Sequence, residues 1–173
     1  MKKLSLLILA LCLSAHADDV KVDEHIASQI HQINQMEMQM GLLARSKGTT
    51  AEVRDFGDRI YKDHAAAEKQ LMDIAGDMKL KLSRPVAQNA VERKQQADTA
   101  ALMKKLDSTS GTDFDQAFLK GMVAGHREVI SMIGGEQDKL APSKLKDFVS
   151  NTLVPNLHQH EDIAMAIENK SYA

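Results

Sequence analysis

Residues 40–53, Met-Gly-Leu-Leu-Ala-Arg-Ser-Lys-Gly-Thr-Thr-Ala-Glu-Val, hold the end of one helical pattern and the start of another. Upstream, from about His25 to Lys47, Ile26, Ile30, Ile33, Met40 and Ala44 recur at helical spacing and form one apolar stripe. Gly48 is expected to stop this helix in a left-handed conformation, and Thr49 with Glu52 forms a capping box for the next. The second helix reaches about Lys79 and turns Val53, Phe56, Ile60, Ala67, Leu71, Ile74 and Met78 inward. So short a connection makes the two helices antiparallel neighbours.

Three further helices follow. Pro85 opens a polar third one that ends near Leu106, with a break from Ser108 to Thr112 and Thr112 as a candidate cap. A fourth, from about Asp113 to Lys139, presents Phe114, Phe118, Met122, Ile130 and Ile133. Pro142 opens the last, where Leu145, Phe148, Leu153, Leu157, Ala164 and Ile167 face inward and Pro155 is expected to bend the rod. A polar helix of roughly twenty residues spans about 30 Å, enough to carry the chain back along a bundle between two hairpins. The expected fold is therefore all-α, a ferritin-like four-helix bundle of two antiparallel hairpins with an additional crossover helix.

Composition agrees with an all-helical chain. Of 173 residues 43 % are hydrophobic and 27 % charged, while Trp is absent and only four Phe and two Tyr occur, which disfavours a sandwich, barrel or doubly wound sheet. With 22 basic and 24 acidic residues there is no cationic surplus to track phosphates, so no nucleic-acid partner is expected. Lys2 and Lys3, an apolar stretch from Leu4 to Ser14, and Ala15-His16-Ala17 as an A-x-A cleavage site read as a secretory signal peptide over residues 1–17. Residues 18–173 then form a single periplasmic or secreted domain with no transmembrane segment and no cysteine, since Cys12 lies in the leader.

On the inward stripes, each of four helices carries one ionisable residue where an apolar one belongs. These are Glu37 between Ile33 and Met40, His64 between Ile60 and Ala67, His126 between Met122 and Ile130, and His160 between Leu157 and Ala164. Burying such a group costs several kcal/mol unless it is paired, hydrogen-bonded or bound to a metal. Counted from the hairpin turns, Glu37 and His64 differ in height by about 5 Å, and His126 and His160 by about 9 Å. One carboxylate and three imidazoles at a common level would hold a divalent metal ion, zinc first, with iron or copper as alternatives.

The residues also resemble a family of exported bacterial proteins of the ferritin-like superfamily that has no assigned function and is often labelled outer-membrane. The resemblance rests on Glu37 with Gly41 to Ala44, on Glu52-Val53, Phe56 and Asp63-His64, on Ser110-Gly111 with Phe114-Asp115, on His126, and on Leu153 and Pro155 with His160. It implies the same bundle with an added helix and inward His and Glu residues, and it supplies no activity. The di-iron pattern of the wider superfamily needs Glu three residues before His, whereas Tyr61, Val123 and Leu157 stand there.

The reading that results is a periplasmic metal-binding protein using Glu37, His64, His126 and His160, in metal handling or stress protection. The alternative is a metal-free structural or interaction module of the cell envelope with buried histidines. No Ser-His-Asp set, nucleophilic cysteine or phosphate-cradling glycine loop favours an enzyme.

Overall fold

A computed structural model describes the backbone of residues 4–172 and the side chains of residues 19–171. The first three residues of the expected export segment, and all its side chains, lie outside the described residues. The order is α1 (Leu4–Lys47), α2 (Ala51–Met78), α3 (Ala90–Ser108), α4 (Gly111–Gln137), α5 (Lys144–Phe148), a π-helical turn (Val149–Leu153) and α6 (Val154–Tyr172), with no strand among the described residues. Helix α1 starts well before His25, because no proline and no glycine other than Gly41 interrupts the chain between Leu4 and Lys47.

Several boundaries shift by physical causes that periodicity does not carry. Gly48 is not left-handed; among the described residues that conformation falls to Lys79, at φ 57°, and Gly111, at φ 64°. What requires glycine at position 48 is space, since a Cβ there would sit 2.6 Å from the Ala44 carbonyl oxygen. The cap of α2 is Thr50, whose hydroxyl accepts from the Val53 N–H. Thr49 instead donates its N–H and hydroxyl to the buried carboxylate of Asp115 on α4.

Helix α3 begins at Ala90 rather than Pro85, because Asn89 accepts from the Glu92 N–H at 3.0 Å while Glu92 takes the Gln88 N–H at 2.6 Å and the Asn89 amide at 2.7 Å. Proline fixes φ but offers no such acceptor. Ahead of α3, residues 80–88 run as a strap along α1, tied by Lys81 N–H to Glu24 and Ser83 N–H to Ser28. Likewise Ser143, one residue after Pro142, caps α5 through its hydroxyl, which accepts from the Lys146 N–H, while α4 follows Ser110 without a side-chain cap bond. Pro155 does not end the last rod. The adjustment falls in the π turn just before it, where the Val154 N–H reaches back five residues to the Val149 carbonyl.

Helices α1 and α2 form an antiparallel hairpin, as their successive contacts show: Gly48 against Val53, Gly41 against Gly57, Asn34 against His64, and Glu24 against Lys81. At the crossing the backbones nearly touch, since a Cβ on Gly41 would meet the Gly57 carbonyl oxygen at 2.6 Å. Helix α4 lies on α6, α1 also touches α4, and α2 touches α6, so the four close a ring, with α3 laid against α4 and α1.

The apolar core inside this ring is in two parts. One holds Ile26, Ile30 and Ile33 of α1 with Leu71, Val129, Phe148 and Leu157. The other holds Met40 and Ala44 of α1 with Phe56, Ile60, Phe114, Phe118, Met122 and Ala164. On every helix of the ring, the residues between the two parts are polar and buried: Asn34 and Glu37, then His64, His126 and His160. A polar layer thus cuts the core across its width.

Candidate metal centre

Each histidine of this layer arrives by helical repeat from an apolar neighbour one turn away, and each is 1–2 % exposed. One ring nitrogen from each of His64, His126 and His160 lies within 4.8 Å of the others. The ring centroids are 5.3 Å apart for His64 and His160, 5.3 Å for His126 and His160, and 6.0 Å for His64 and His126. Glu37 shares the layer and is 7 % exposed, but its carboxylate is not among these mutually close atoms.

The outer nitrogen of each ring is committed, and the partner decides the tautomer. His126 Nδ1 donates to the Met122 carbonyl oxygen at 2.8 Å. His160 Nε2 donates to Asp63 Oδ2 at 2.9 Å. His64 Nδ1 faces Asn34 Oδ1 at 3.0 Å, and the Asn34 amide cannot be reversed, because its Nδ2 donates to Glu68 Oε2 at 3.2 Å and a carboxylate only accepts. His64 Nδ1 therefore carries the hydrogen. Glu68 is itself part-buried and held also by His31 and Gln35.

The inner nitrogens, with no hydrogen left to them, are His64 Nε2, His126 Nε2 and His160 Nδ1. His126 Nε2 and His160 Nδ1 face each other at 3.3 Å, and His64 Nε2 is buried with no partner among the described residues. Protonation at neutral pH does not relieve this crowding of lone pairs. Burial, and then the neighbouring His126 and His160, push His64 well below the usual imidazole range. Burial and His160 bring His126 down to about 3, against the opposing effect of the Met122 carbonyl. Burial also lowers His160, although Asp63 pulls it the other way.

Three neutral imidazoles with outer N–H groups held by a carboxylate, an amide oxygen and a carbonyl, and inner lone pairs converging, match the way proteins orient histidine ligands. Sequence reasoning found the three histidines and missed Asn34 as an orienting group. Its signal was present, for Asn34 sits three residues before Glu37 on the same helix face. Asp63 was noted beside His64 in the sequence, but its reach to His160 depends on α2 meeting α6.

Among the described residues the remaining histidines are elsewhere: His25 bonds Glu92, His31 bonds Glu68, and His158 is exposed. The family model of a domain of unknown function, DUF4142, matches residues 12–167. No curated protein and no solved structure matches the chain.

Proposed function

The chain belongs to the DUF4142 family of domains of unknown function, and for it we propose a metal-binding role in which His64, His126 and His160 hold one divalent ion. The observation that carries this is the convergence of three imidazole lone pairs in a buried layer, with His64 Nε2 unpartnered and His126 Nε2 facing His160 Nδ1 at 3.3 Å. A cation accepts all three at once. Nitrogen donors of this kind suit zinc first, and also copper or iron. A bound ion would act there as a Lewis acid or redox centre in metal handling or stress protection. We further read the ring of α1, α2, α4 and α6, with α3 as crossover, as ferritin-like, and the chain as exported to the periplasm or beyond. Those two readings are supported by the order of helix contacts and by Lys2, Lys3 and the Ala15-His16-Ala17 tripeptide.

Elemental analysis of the purified protein, followed by titration with zinc, iron and copper, tests the metal reading beside a His64→Ala/His126→Ala double variant. One ion per wild-type chain and none in the double variant is the expected result. A wild-type chain that stays empty with all three metals overturns the reading and leaves a metal-free structural or interaction module of the cell envelope.

A further inference from the structure

A cavity of about 440 Å³ lies between α1, α3 and α4, within the range of roughly 300–1,000 Å³ that suits small organic ligands. Its apolar wall is Ile33, Met36 and Met40 of α1, Leu102 of α3 and Val129 of α4. Gly121 and Gly125 of α4, one turn apart, leave the opposite side low. A Cβ on Gly125 would meet nothing within 4 Å, whereas one on Gly121 would strike the Leu102 side chain at 2.5 Å.

Six charged residues line the space: Glu37, Glu92, Lys94, Asp98, Arg127 and Glu128. Both cations are already engaged, Lys94 by Asp98 and Glu128, and Arg127 by Glu161. Glu92 is held by Gln88, Asn89 and His25. Glu37 alone of the four carboxylates has neither a cation nor a full set of donors, and its Oε2 is buried without a hydrogen-bond partner among the described residues. An acid left so in an apolar recess is satisfied by a ligand that brings the missing positive donor.

We propose that this cavity binds a small organic ammonium ion with an apolar body, its charged head on Glu37 and its hydrocarbon part against Met36, Met40 and Leu102. The excess of carboxylates over cations in the lining favours a positive ligand over an anionic one. The buried Glu37 Oε2, unpartnered among the described residues, fixes where the charged head goes. No histidine of the polar layer lines the cavity, so this ligand and an ion on His64, His126 and His160 would occupy different space.

The test is calorimetric titration of the full chain with n-octylammonium chloride, octan-1-ol and sodium octanoate at pH 7. One octylammonium is expected to bind per chain, and octanol and octanoate at least about tenfold more weakly. Glu37→Gln, nearly isosteric, is expected to weaken octylammonium binding by about tenfold or more. Gly125→Leu, which sends a side chain into open space, is expected to block binding while circular dichroism and melting show the fold intact. Octanol or octanoate binding as tightly as the ammonium, undiminished binding by Glu37→Gln, or no saturable binding by the wild type overturns the proposal.

Discussion

His126 Nε2 and His160 Nδ1 stand 3.3 Å apart in the buried layer, and each ring has already spent its hydrogen on the far side, on the Met122 carbonyl and on Asp63. Two lone pairs so placed repel unless something positive lies near both. Because His64 brings a third, three costs of burial meet at one point, and under the proposed metal reading a single cation would offset them all.

Zinc is accordingly expected to stabilise the fold. At a free concentration one hundred times its dissociation constant, a ligand of the native state alone adds about 2.7 kcal/mol. Thermal melting should move upward on adding zinc and return on adding a chelator, and His160→Ala should show neither shift.

The groups behind the histidines should matter almost as much as the rings. Asn34→Ala removes the acceptor of a fully buried His64 N–H, and Asp63→Ala frees His160 to rotate. Each is expected to weaken metal binding by about 10- to 100-fold with all three ligands intact, measured by competition with a chromogenic chelator.

Glu37 sets a pH dependence of opposite sense to that of an ordinary carboxylate. Its folded value, raised by burial to about 8, exceeds the unfolded value near 4.3, so the native state holds the proton longer. Stability from this group is complete below about pH 4, falls as pH rises, and levels off above about 8. Glu37→Gln should remove that slope and leave the ligand-free protein more stable at pH 7 by on the order of 1–3 kcal/mol, read from urea denaturation at several pH values.

The hairpin crossing gives a steric contrast. Gly57→Ala puts a methyl 2.6 Å from the Ala44 Cβ and 2.8 Å from the Gly41 carbonyl oxygen, so a loss of about 1–3 kcal/mol is expected. Gly134→Ala in α4 meets nothing within 4 Å and should gain up to about 1 kcal/mol from helix propensity. Melting temperatures of the two variants check both signs.

The helices and the three histidines were legible in the sequence because both follow from periodicity. A 3.6-residue repeat places Ile60, His64 and Ala67 on one face whatever the partner helix is. Helix starts were less legible, since two hydroxyls compete at Thr49 and Thr50 and the choice depends on Asp115, sixty-six positions away. The same holds for the orienting shell. Asn34 and Asp63 look like ordinary polar residues until α1, α2 and α6 are brought together, and Glu68 fixes an amide through contacts between helices.

The π turn at Val149–Leu153 bears on how relatives of this chain are to be aligned. Leu145, Val149, Leu153 and Leu157 are all buried, yet on a regular helix each four-residue step overshoots a full turn by about 40°. Hydrogen bonding five residues back absorbs the surplus and delivers His160 to the layer. The turn therefore behaves as a one-residue insertion. A relative with an unbroken α-helix there needs a single gap between positions 149 and 153, and without it the third histidine would be matched to the wrong column.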